Sequence, residues 1–256
     1  MQNEEIKCFG NCFDAGKKMF FLQSKNQINS NSILENNPQG EIANAFLNHP
    51  VIRFDLNKKK YQAIIEAFVS PSARVETAIA GGCFTKKPKN SKFPNTVDIY
   101  IATNHKDPMK ENLKNEQARA RLCEEINQFL IEPVRVDDIT IGDNFNQNVI
   151  CRISQSKKVK WFEKSQEQQE NISVIIRFTI QEVKQIDDLM EMFQLKPCRI
   201  AFKNGHFYLS EFFVRGGDII ADGHEPSQEF IDRYLEKGFE LDTDIGWSAY
   251  CENLNS

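Results

Sequence analysis

The 256-residue chain is 40% hydrophobic and 27% charged, an ordinary balance for one large globular domain or a core with modest extensions. No apolar run approaches the roughly 18 residues that a membrane span needs. A formal charge of −4 argues against a surface that coats nucleic acid all over, while leaving room for a local basic patch.

The opening MQNEEIKCFGNC joins no basic region to an apolar one, which predicts no secretory signal. KKMFFLQ reads as a short strand or helix. Residues 22 to 45, rich in Asn, Ser and Gln, form a loose connection. Residues 1–55 are thus read as an N-terminal extension, packed on the core or appended to it, and 56–256 as the main domain. Tyr61, Ile64, Ile65 and Phe68 fall at i, i+3, i+4 and i+7, a helical stripe ending before Ser70-Pro71. Val75 to Ala80 then reads as a strand running into Gly81-Gly82, and Val97 to Ala102 as the next strand.

Residues 110 to 130 predict an amphipathic helix with Leu122, Ile126, Phe129 and Leu130 on one side. Val134 to Ile141 and Asn148 to Ser154 read as strands, and the polar 157–171 segment as an exposed loop or hairpin tip. Ile172 to Phe178 is β-branched and reads as a buried strand. Val183, Ile186, Met190 and Phe193 mark a short helix. A hairpin follows, Arg199–Phe202 and Phe207–Phe213, around Lys203-Asn204-Gly205, since Asn-Gly is a strong turn signal. Phe230, Ile231, Tyr234 and Leu235 make a last helix ending near Gly238. The mixture predicts an α/β (α+β) fold, a mixed central sheet flanked by helices.

Seven cysteines, at 8, 12, 83, 123, 151, 198 and 251, are odd in number and scattered. They suggest neither a disulfide framework nor a zinc site, and point to reduced thiols in a cytoplasmic or nuclear compartment. Abundant Asn and Gln, with 20 Phe against 5 Tyr and 2 Trp, suggest an AT-rich genome, viral or parasitic.

The chemistry concentrates in AIAGGCFTKKPKNSKFPNTVDIYI, residues 78–101. A glycine pair after a strand lets the backbone turn sharply and approach a ligand with no Cβ in the way. Successive amides there would cradle phosphate, with Gly81, Gly82, Cys83, Lys86 and Lys87 as the candidate nucleotide- or phosphate-binding residues. Asp98 on the next strand would hold Mg²⁺ against that phosphate, the candidate metal ligand and, if the protein is active, the catalytic acid. The plainer alternative is ordinary turn chemistry. Lys89, Lys92 and Phe93 in the same loop, and Lys58 to Lys60 before it, would add phosphate contact and stacking, or form solvated surface.

The order helix, strand, Gly-Gly, loop, Asp-bearing strand, then a late strand–helix–hairpin resembles the nucleotidyltransferase superfamily of the DNA polymerase β type, in particular nucleotidyltransferase-like proteins of large viruses and phages. AIAGGCF (78–84) and NTVDIYI (95–101) stand at the family's glycine pair and Asp-hydrophobic-Asp strand. ISVIIRF, MFQLKPCRIAFKNGHFYLSEFFV and IDRYLEKGF follow in the order of its later block, and the resemblance spans roughly residues 60 to 241. It implies a nucleotide-binding cleft in which two or three carboxylates hold two metal ions.

This chain departs from the pattern at the acids. Thr96 stands where the first acid belongs, leaving Asp98; Gln194 and Lys196 stand at the later acidic positions, with Asp137, Asp138, Asp187 and Asp188 nearby in sequence. The resemblance therefore implies a degenerate nucleotidyltransferase-fold protein, a pseudoenzyme that binds a nucleotide, nucleic acid or protein partner without two-metal catalysis. An active Mg-dependent nucleotidyltransferase is the alternative. A third reading is a cysteine hydrolase with Cys12 as nucleophile, His206 as base and Asp218 or Asp222 to orient it. His105 and His224 lie in polar stretches, and four dispersed histidines make no metal cluster.

Overall fold

The computed structural model describes residues 6–7, 19–22, 54–86, 88, 90–91, 96–104, 115–142, 148–193, 198–210, 218–219 and 228–241. In chain order these form β1 (Ile6–Lys7), β2 (Met19–Leu22), α1 (Lys58–Phe68), β3 (Thr77–Ala80), β4 (Thr96–Ala102), α2 (Glu116–Asn127), β5 (Thr140–Ile141), β6 (Val149–Glu163) and β7 (Gln166–Thr179). Then follow α3 (Ile186–Glu191), β8 (Ile200–Lys203), β9 (His206–Ser210), β10 (Asp218–Ile219), α4 (Gln228–Leu235) and β11 (Glu240–Leu241).

The main sheet runs β1-β2-β9-β8-β3-β4-β7-β6-β5, while β10 and β11 pair separately. Its pairs are antiparallel except β4 with β7. The fold is thus α/β with a mixed sheet and helices, and the two strands flanking the glycine pair are neighbours, Ile79 facing Ile99. The N-terminal segment contributes β2 to the sheet, alongside β9.

Alternation along the strands sends opposite side chains to opposite faces. One face carries Ile79, Ile99, Ile176, Phe202 and Phe207, in a core shared with Tyr61, Ile64, Ile65 and Phe68 of α1 and Leu122 and Ile126 of α2. Tyr61 anchors that helix, its ring centroid 4.7 Å from Phe84 and 5.8 Å from Phe207. Asn57 caps α1 by accepting the Lys60 amide at 3.1 Å, which satisfies one otherwise orphaned donor. The opposite face carries Ala78, Ala80, Tyr100 and Ala201 beneath Val183, Leu189 and Met190. Small residues on the strands let α3 lie close.

Three elements differ from the sequence expectation. The strand expected from Val75 starts only at Thr77, because Pro71–Glu76 closes into a 3₁₀ turn. Pro71 presets its φ, the Thr77 hydroxyl donates to the Ala73 carbonyl at 2.8 Å, and Val75 is left 65% exposed. The strand expected over 134–141 shrinks to Thr140–Ile141. There the Asn127 side chain takes both the amide and the carbonyl of Val134, and the Asp138 carboxylate accepts the Arg135 amide across a short 3₁₀ turn. The polar 157–171 segment, expected as a loop or hairpin tip, is mostly strand: β6 and β7 stay paired from Ser156–Ser173 out to Glu163–Gln166.

Candidate functional site

Asp98 lies on the β4 face that also carries Thr96 and Tyr100, and in the parallel register those three stand beside Ile175, Ser173 and Arg177 of β7 respectively. The Arg177 guanidinium donates to the Asp98 carboxylate, and the two side chains are 15% and 25% exposed. Arg177 also sits 5.6 Å from the centre of the Tyr100 ring, which meets Phe193 edge-on at 5.7 Å. The acid is therefore held in a partly buried, charge-assisted pair on a surface packed by aromatic rings.

The glycine pair abuts this acid. Gly81 takes φ +94 and ψ −155, a conformation confined almost entirely to glycine, and donates its amide to the Ile200 carbonyl at 3.0 Å. A Cβ there would stand 3.2 Å from Phe193 and 3.9 Å from Asp98 Oδ2. Gly82–Phe84 continues as a single 3₁₀ turn. The carbonyl of Gly82 accepts from the Lys237 ammonium at 2.8 Å and the Thr85 hydroxyl at 2.8 Å. Its α-carbon faces α4, where a Cβ would come within 2.2 Å of Tyr234 Oη. That side of the turn is filled by protein.

Tyr234 in turn bonds Cys198 Sγ at 2.7 Å, and both are buried. Burial pushes the Cys198 thiol up to about 12, against the smaller lowering effect of the tyrosine bond, so it stays protonated. Burial, then the Asp98 charge, raises the Cys83 thiol as well, with Lys237 opposing. These thiols are poor nucleophiles. The Ser91 hydroxyl donates to Glu236 at 2.7 Å, bringing the loop after the turn to the end of α4.

Of the expected site residues, the structure thus brings together Gly81, Gly82, Cys83 and Asp98. Lys86 is exposed at the start of the loop, and Lys87, Lys89, Lys92 and Phe93 lie outside the described residues, as do Gln194 and Lys196. Asp137 and Asp138 are exposed on the 3₁₀ turn after α2, where Asp138 pairs with Arg135. Asp188 is half-buried on α3. Among the described residues no three His, Cys, Asp or Glu side chains gather as a metal site. His206 opens β9, its pKa pushed down by burial and by Lys58, while Cys12 and Asp222 lie outside the described residues.

Sequence reasoning missed Arg177, Cys198 and Lys237 as members of this cluster. The signal for Arg177 was a single base in the apolar strand ISVIIRF, matching a single acid in TVDIYI. Comparisons with family models, curated proteins and solved structures give no match for this chain.

Proposed function

We propose that the protein acts by binding a nucleotide, nucleic acid or protein partner on a degenerate nucleotidyltransferase-like scaffold, without two-metal transfer. The observation that carries this reading is the pairing of Asp98 with Arg177. Two-metal chemistry needs converging carboxylates. Here the neighbouring strand offers Ser173, Ile175 and a guanidinium on the same face, and a fixed cation next to the acid repels a divalent ion.

The test is label transfer. The full chain is incubated with each radiolabelled nucleoside triphosphate, Mg²⁺ or Mn²⁺, and RNA, DNA or protein acceptors. The expected outcome is no transfer above background. Robust transfer that disappears in Asp98→Asn, a change that keeps the side-chain shape, would overturn the proposal and establish the Mg-dependent transferase in its place.

A further inference from the structure

On the opposite face of the sheet from Asp98, α1, the outer β6–β7 ribbon and the β8–β9 turn enclose an open groove of about 540 Å³, within the range of roughly 300–1,000 Å³ typical of ligand sites. Its walls carry Lys58 and Lys59 from the first turn of α1 and Lys160, Trp161 and Phe162 from the ribbon. Lys58 and Lys59 form no ion pair among the described residues. Lys160 meets Glu167 at 2.9 Å, but both are about half exposed, so that pair is weak and exchangeable. Phe162 is 59% exposed at the rim, an unusual place for a phenyl ring that no core requires. Trp161 is partly buried, with Lys60 5.4 Å from its ring centre, and its indole N–H is buried with no acceptor among the described residues. One acid, Glu66, also lines the groove, its carboxylate engaged by Gln62.

Lys60 differs from its neighbours. It is bound by Glu170 at 2.9 Å and Asp55 at 3.1 Å, and so fixes the ribbon to α1. The groove is therefore a concavity between two elements that an ion pair joins. It combines two lysines, Lys58 and Lys59, that are unpaired among the described residues with an exposed aromatic ring, on a chain whose overall charge is negative. Cations that track a backbone, interleaved with aromatic rings for bases, are what unpaired nucleic acid requires. A duplex hides its bases and would leave Phe162 unused.

We infer that this groove binds single-stranded nucleic acid, with Lys58, Lys59 and Lys160 on phosphates and Phe162 stacked on a base. The site is separate from the Asp98 cluster, so the transfer assay decides nothing about it.

Fluorescence anisotropy of the full chain with a labelled oligothymidylate of about twelve nucleotides, and with the same strand in a duplex, provides the test. The single strand binds and the duplex binds more weakly. Lys58→Gln with Lys59→Gln and Lys160→Gln reduces affinity and lowers the slope of log K against log salt by about 2, at roughly 0.7 per phosphate lost. Phe162→Ala weakens binding by roughly fivefold or more with the salt slope unchanged. Arg121→Gln, exposed on α2 and outside the groove, leaves binding unchanged. Circular dichroism confirms that each variant is folded. No binding, an unaffected triple variant, an unaffected Phe162→Ala, or equal affinity for duplex would each overturn the inference.

Discussion

A methyl group on Gly82 would stand 2.2 Å from the Tyr234 hydroxyl and 3.0 Å from the ring carbon that bears it. Neither neighbour yields easily, because Tyr234 is 2% exposed and bonded to Cys198. Gly82→Ala is therefore expected to destabilise the fold by about 1–3 kcal/mol, as overpacking in a dense core does. Removing the hydroxyl relieves the tighter contact. Urea unfolding should show a smaller cost for Gly82→Ala in a Tyr234→Phe background than in the native chain, the non-additivity expected of touching residues. Equal costs in both backgrounds would mean that the turn does not rest on Tyr234. Asp98 and Arg177 make the same point at the neighbouring strand, since each is a lone charge in an apolar sequence and is accommodated because the other faces it.

At the scale of elements, the two hairpins reach the same geometry from different sequences. Asn204 and Gly205 take φ 51 and 77, and Lys164 and Ser165 take φ 47 and 66, each pair a two-residue turn between paired strands. Left-handed backbone is inexpensive for Asn-Gly and costly for Lys-Ser. The β6–β7 ribbon holds that turn because α1 fastens it from below. Lys60 bridges to Glu170, while Lys157 donates to the Ala67 carbonyl at 3.1 Å and pairs with Glu132 at 2.6 Å. Replacing Lys164-Ser165 by Asn-Gly should raise stability by about 0.5–1 kcal/mol, by removing strain at positions the native residues tolerate poorly. Thermal unfolding would register this as a modest rise in Tm. A fall would show that Lys164 or Ser165 has a role beyond the turn.

For the molecule as a whole, burial of thiols sets a limit on the alkaline side. Burial pushes both Cys151 and Cys198 up to about 12. A group whose folded pKa lies above its unfolded value of about 8.5 contributes full stability below that value and loses it as pH rises towards the folded one. Stability should therefore decline from about pH 8.5 upwards, by about 1–3 kcal/mol in all at pH 9.5, measured as a falling urea midpoint. Site-resolved alkylation is the companion measurement. Cys151 and Cys198 should resist iodoacetamide in the native chain and react in urea, and rapid native labelling of either would contradict their burial.

Periodicity and turn chemistry alone determined much of the fold. The stripe of Tyr61, Ile64, Ile65 and Phe68, the Asn204-Gly205 hairpin and the pairing of the strands around Gly81-Gly82 were all legible, because each depends on residues close in sequence. The same local pattern placed the glycine pair beside Asp98. Tertiary structure decided what those residues face. Only the parallel register of β4 with β7 sets Arg177 against Asp98, from 79 positions away. Only the docking of α4 puts Tyr234 and Lys237 on Gly82. The polar 157–171 segment shows the other side of this: its residues carry little strand signal. They are held extended by cross-strand hydrogen bonds and by the Glu170–Lys60 ion pair to α1, partners that local sequence does not contain.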